Sequence, residues 1–304
     1  MTLQTGSRLG RYEVDSLIAS GGTGDVYRAR DTHLNRHVAL KVLASSVLSD
    51  HERLARFTQE ARTTALINHP NIVAVYDVGS NEGLPFVVSE LLHGRTLRET
   101  LKSGALPIRL AVSHTLDIAQ GLIAAHHLGV IHRDLKPENV FVTEDGRLKI
   151  LDFGLAKCRS QAIGLPDDSS KSTQPGTIMG TVGYMSPEQV RGCGSTVDER
   201  SDIFSLGVML YEMVAGVAPF ERETPIETLY AILKDDAPPL GPRDGLTEEL
   251  DHVIRHCLEK SPTARFQSAR DLAFVLEFTL RAQQPAPRPI SPPRRILDSI
   301  LSLF

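Results

Sequence analysis

A change of periodicity close to residue 90 constrains this chain more than any other feature. Before it, "RYEVDSLIA" (11–19), "GDVYRARD" (24–31), "HVALKVLA" (37–44), "HPNIVAVYDVG" (69–79) and "LPFVVSELL" (84–92) are short runs that alternate or are rich in β-branched residues, as strands are. One helical pattern interrupts them at 50–68, where Leu54, Phe57, Ala61, Ala65 and Leu66 fall at helical spacing behind Asp50 as a cap. From residue 95 the texture becomes helical: 108–129, which stops at Gly129, then the apolar stretch 201–216, then 247–259 and 268–281. The expectation is an α+β chain. A small β-rich lobe (11–89) precedes a larger, mainly helical lobe (95–281), with a join at 90–94.

Composition narrows the function classes. With 304 residues, 41% of them hydrophobic, the chain can bury a sizeable core. A net charge of −4 gives no overall attraction to nucleic acid or to an anionic membrane. Cys158, Cys193 and Cys257 are odd in number, far apart and without a C-x-x-C pair, which argues for reduced thiols and a cytoplasmic setting. The first residues lack a signal-peptide core, and no run of 18 apolar residues exists, so a membrane is expected only through sequence beyond this chain. Residues 157–180 form a polar stretch too long for an ordinary connection. The tail, 282–304, is rich in proline and arginine and closes on "ILDSILSLF"; a mobile linker with a docking end is expected there.

The stretch "LIASGGTGDVY" (17–27) crowds glycines between two strands, yet Ala19 stands in the first slot of a G-x-G-x-x-G pattern. Alone it fits a flexible turn better than a phosphate-binding loop, because glycine serves any turn that needs positive φ. Four further motifs follow it in fixed order: "VALK" (38–41), "HRDLKPEN" (132–139), "DFG" (152–154) and "SPE" (186–188).

This set resembles the eukaryotic-type (Hanks-type) Ser/Thr protein kinases, and "GTVGYMSPEQ" with "RARD" is similar to their bacterial branch. The resemblance covers about residues 10–280 and implies the two-lobed protein-kinase fold. It implies ATP and Mg²⁺, with Mn²⁺ as a substitute, and protein substrates. Moving a γ-phosphoryl group needs charge neutralised and an acceptor hydroxyl aligned. By the resemblance, Ile18, Ala19, Ser20, Gly21, Gly22, Thr23, Gly24, Asp25 and Val26 cover ATP, while Ala39, Ser89, Glu90 and Leu92 surround its adenine. Lys41 reaches the α- and β-phosphates and pairs with Glu60; Asn139 and Asp152 supply oxygen ligands for the metal. Asp134 accepts the proton of the substrate hydroxyl, and Lys136 reaches the γ-phosphate.

The same resemblance implies supporting roles. His132 packs against Phe153, Asp202 braces the backbone of the catalytic loop, and Glu188 and Arg265 form a buried ion pair. Thr177, with Thr173 as a secondary candidate, is expected to be phosphorylated and to collect Arg133 and Lys157, while Thr181 aligns Asp134 and Lys136. A homodimer would serve autophosphorylation in trans. His126 and His127 end a helix and read as structural. A pseudokinase scaffold is the alternative, and the presence of Lys41, Glu60, Asp134, Asn139 and Asp152 weighs against it. A small-molecule kinase is a weaker one, disfavoured by the substrate-platform segment around Thr181.

Overall fold

The computed structural model describes residues 3–21, 24–43, 61–81, 83–153, 182–192 and 197–282. The first lobe is one antiparallel sheet of six strands, in the order β1-β2-β3-β4-β6-β5. These are β1 (Arg8–Leu9), β2 (Tyr12–Gly21), β3 (Gly24–Asp31), β4 (Arg36–Leu43), β5 (Val75–Asn81) and β6 (Leu84–Glu90). The alternation seen in the sequence sorts their side chains. Tyr12, Val14, Tyr27, Ala29, Val38, Leu40, Val42, Phe86 and Val88 face one core, and the intervening residues face the other way, as the period of two requires. Tyr12 meets Phe86 edge to face, with ring centroids 5.8 Å apart.

The expected helix over 50–68 is described only from residue 61. Residues 61–64 are helical and 65–66 form a turn, with Leu66 N bonded to Thr63 O at 3.1 Å and Ile67 N to Thr64 O at 3.0 Å. These tightened bonds close the last turn early. Leu66, expected on the apolar stripe, is therefore 74% exposed, and Ile67 is buried in its place. Asp50, Leu54 and Phe57 lie outside the described residues.

The second lobe contains helices α1 (Leu97–Leu101), α2 (Ile108–His127), α3 (Pro187–Val190), α4 (Glu199–Ala215), α5 (Pro225–Lys234), α6 (Glu248–Cys257) and α7 (Ala269–Ala282). Its centre is α4, in which every residue from Ser201 to Val214 is buried. Asp198 caps its start, and Gly216 at φ 81° ends it in the left-handed conformation. Gly207 lets α6 approach closely, since a Cβ there would lie 2.5 Å from that of Cys257. No helix among the described residues is long and apolar enough to cross a membrane.

Three helices of this lobe, α1, α3 and α5, escaped the sequence reading, and so did a three-stranded sheet, ordered β7-β8-β9, from β7 (Gly94–Thr96), β8 (Val140–Thr143) and β9 (Leu148–Ile150). Its strands have three or four residues each, too few to register as alternation. Residues 71–73 of the first lobe lie along the free edge of β9: Ile150 N donates to Asn71 O at 2.8 Å and Val73 N to Ile150 O at 3.0 Å.

The expected Glu188–Arg265 ion pair is present and buried, with side chains 4% and 0% exposed. Two parallel bonds of 2.9 Å join the guanidinium to both carboxylate oxygens, Ser201 Oγ adds a third to Glu188, and the carbonyls of Glu259 and Arg200 occupy further Arg265 donors. Burial by itself would push the Glu188 carboxyl up, but the bonds and charge of Arg265 outweigh it and hold it below the ordinary carboxylate range. Replacing Arg265 by alanine should therefore cost about 3–5 kcal/mol in denaturant unfolding, because a buried carboxylate loses its partner. A carboxyl depressed by folding stabilises above its unfolded pKa and stops doing so as the pH falls through its folded one. Wild-type stability should decline across that acid range more steeply than that of Glu188→Gln, and parallel acid curves would contradict the assignment.

Candidate active site

The β2–β3 hairpin shapes the upper wall of the site. Gly24 sits at φ 147°, and a Cβ there would meet Val42 O at 2.1 Å, so only glycine lets β3 start this close to β4. Ala19, by contrast, is an ordinary strand residue paired with Val26, so its methyl asks nothing unusual of the backbone. The glycine slot it fills needs no positive φ here. Gly22 and Thr23 lie outside the described residues, between Gly21 and Gly24.

Register then places the other residues expected at the nucleotide. Val26 is opposite Lys41, and Lys41 is opposite Val87; Ala39 is opposite Ser89. Directly paired residues, and those two apart, share one face. Val26, Ala39, Lys41 and Ser89 therefore line the face turned away from the lobe's core. Glu90 ends β6, and Leu92 follows in the link to β7. Ile18 is 52% exposed at the rim.

Below this wall two charged clusters meet. Lys41 Nζ lies 2.6 Å from Asp152 Oδ2, bridging the lobes. Lys136 Nζ lies 2.9 Å from Asp134 Oδ2. The Asn139 amide donates to Asp134 O at 2.7 Å and to Asp134 Oδ2 at 3.1 Å, while its backbone oxygen accepts from Leu151 N at 2.8 Å. Asn139 thus turns its nitrogen toward Asp134 and leaves its amide oxygen for something else. That oxygen and the partly exposed Asp152 carboxylate are hard donors, which fit a Mg²⁺ ion.

The loop carrying Asp134 is held from beneath. Both oxygens of Asp202 accept backbone N–H groups, His132 N and Arg133 N, each at 2.8 Å, and His126 Nε2 lies 2.8 Å from Asp202 Oδ2. Burial of Asp202 is opposed by the His126 bond and charge and by His132, and its carboxyl is held below its ordinary range. Arg133 has φ 66° and Asp152 φ 55°, a conformation costly for both and sustained only by such surroundings. On the other side of the loop Gln189 Nε2 donates to Arg133 O at 2.7 Å. His132 Nδ1 accepts from Asp134 N at 3.3 Å, so its Nε2 carries the proton given to Leu151 O at 2.9 Å. Its ring meets Phe153 edge to face at 4.8 Å.

Next to Asn139, Glu138 joins a second network. Arg98 reaches Glu138 at 2.8 Å and Glu212 at 2.6 Å, and Tyr184 bonds both Arg98 and Glu212. Burial and the Glu212 carboxylate push the Tyr184 phenol up, so it stays a neutral donor.

The structure thus brings together Lys41, Asp134, Lys136, Asn139 and Asp152, with Asp202 and His132 supporting them. Glu60, Lys157, Thr173, Thr177 and Thr181 lie outside the described residues; within them Lys41 is bonded to Asp152. His126 is more than a helix-ending residue, because its side chain is only 6% exposed and bonded to the brace. Nothing in the sequence marks it out. Gln189 could have been noticed, since Ser186-x-x-Gln189 is a capping box whose glutamine oxygen is occupied and whose nitrogen is free for Arg133.

Comparison with known proteins agrees with this geometry. The protein kinase domain family matches residues 12–273. A probable serine/threonine-protein kinase of Clostridium perfringens is 38% identical over 269 residues, covering 88% of this chain and 38% of that protein. Serine/threonine-protein kinase PknB of Mycobacterium leprae is 39% identical over 268 residues, covering 86% of this chain and 42% of its own length. The chain thus spans about two fifths of these relatives. The crystal structure of the Mycobacterium tuberculosis PknI kinase domain superposes with a TM-score of 0.71 at 26% identity, over 91% of this chain and 100% of that one. The two-lobed fold and the matched motifs lead to one conclusion: this chain belongs to the protein kinase domain family, in its bacterial Ser/Thr branch.

Proposed function

We propose that the chain transfers the γ-phosphoryl group of ATP to serine and threonine hydroxyls of proteins, its own long loop included. The observation that carries this reading is the meeting of Lys41–Asp152 with Asp134–Lys136–Asn139 at the junction of the lobes. The relatives' names, serine/threonine-protein kinases, support it.

In this reading the face bearing Val26, Ala39 and Ser89 receives the adenine, whose edge bonds backbone groups of Glu90 and Leu92. Lys41 holds the α- and β-phosphates, and Lys136 steadies the γ-phosphate. Asp134 orients the incoming hydroxyl and takes its proton as the new P–O bond forms and ADP departs with the bridging oxygen. Mg²⁺, or Mn²⁺ in its place, held by Asp152 and Asn139, supplies charge neutralisation. By the resemblance to the kinase family, Arg133 and Lys157 collect a phosphate on Thr177 or Thr173. The reading extends to a cytoplasmic kinase domain spanning 11–281, with a homodimer serving phosphorylation in trans.

The test is incubation of the chain with ATP and Mg²⁺ followed by phosphosite mapping. Incorporation on serine and threonine is expected, with Thr177 or Thr173 among the sites. Asp134→Asn should lower the rate at least about a hundred-fold, the usual weight of a positioned base. A wild-type chain that binds ATP without transferring phosphate would mean a scaffold instead.

Ser89 provides a second, independent prediction. Its small side chain leaves room behind the adenine that a methionine would fill. Ser89→Met should weaken inhibitors carrying bulky adenine substituents by roughly ten-fold, about 1.4 kcal/mol, with ATP use retained. Unchanged inhibition would show that the adenine binds elsewhere.

A further inference from the structure

Lys149 takes no part in the transfer described above, yet its position is unusual. It lies on β9 between Leu148 and Ile150, both fully buried, so its side chain leaves the core on the opposite face. There its Nζ lies 2.6 Å from Glu90 Oε1, with side chains 17% and 21% exposed. The same Glu90 oxygen accepts Ala74 N at 2.8 Å, and Glu90 N donates to Ala74 O at 3.0 Å.

The pair joins two ends of the site that the sequence separates by 59 residues. Glu90 closes β6, where the lobes are linked. Lys149 precedes Asp152 by three residues on the strand that delivers it. Between them lies the segment 71–74, bonded on one side to Ile150 and on the other to Glu90. The small sheet continues the connection, since Leu151 N is bonded to Asn139 O. The adenine side and the metal side of the site are thus tied by one charged contact laid over a short backbone ladder.

We propose that Lys149 is a positioning residue for the nucleotide: through Glu90 it fixes the link between the lobes in register with the strand that presents Asp152. The proposal rests on the nucleotide site assigned above. Without the ammonium, the Glu90 carboxylate keeps, among the described residues, one neutral N–H partner in a mostly enclosed place and is free to turn. The backbone on either side of it, which contacts the adenine edge, then loses its fixed setting. A tie of this kind acts on binding before it acts on chemistry.

The experiment measures ADP affinity by titration, with and without Mg²⁺, for the wild type, Lys149→Met, Lys149→Arg, Glu90→Gln and the double variant Lys149→Met/Glu90→Gln. Thermal melting is recorded alongside. Each single neutral variant should raise the metal-free ADP Kd by roughly five- to ten-fold, and the double variant by no more than the larger single effect, because both remove one interaction. Lys149→Arg should recover most of the affinity. Multiplying single effects in the double variant, or lowered melting temperatures with unchanged Kd, would overturn the proposal while leaving the nucleotide site intact. A wild type that does not bind ADP would overturn both.

Discussion

The carboxylate of Asp202 is the contact on which the site's geometry depends. It sits in a helix buried from Ser201 to Val214, where an ionised group survives only if its lone pairs are filled. They are filled by two backbone N–H groups of the loop and by His126. The arrangement turns the cost of burying a charge into a constraint. Asp202 holds His132 and Arg133 by their main chain, and Arg133 keeps the strained φ of 66° there.

Other buried polar groups extend that anchorage outward. Gln189 secures the carbonyl of Arg133, and its own segment is pinned by the Glu188–Arg265 pair at the preceding residue. Arg98 does similar work on the far side, collecting Glu138, Glu212 and Tyr184 from three separate elements. Buried ion pairs add little net stability compared with apolar packing. What they add here is orientation: each fixes a loop that no hydrophobic contact could hold in one setting.

Much of this was legible in the sequence because the chemistry needs fixed residue types at fixed spacing. The motifs around Lys41, Asp134, Asn139 and Asp152 pointed to the residues that the structure brings together. Strand alternation located the first lobe, and Gly129 marked a helix end. The less visible parts depend on contacts between distant segments. His126 looks like any helix-terminal histidine until Asp202 arrives beneath it. Lys149 carries no mark in the sequence, because its partner comes from the other lobe. Leu66 kept its place in a helical pattern, but the helix closed before reaching it. Strands β7 and β9, at three residues each, are too short for periodicity to reveal.

One buried carboxylate thus sets the conformation of the loop that carries Asp134. Amide hydrogen exchange at His132 and Arg133 tests it most directly, comparing the wild type with Asp202→Asn. An asparagine keeps the shape but offers one acceptor where the loop needs two. Exchange at both amides should accelerate by roughly a hundred-fold while amides in the middle of α4 remain protected. Unchanged protection at His132 and Arg133 in a folded Asp202→Asn variant would contradict the account.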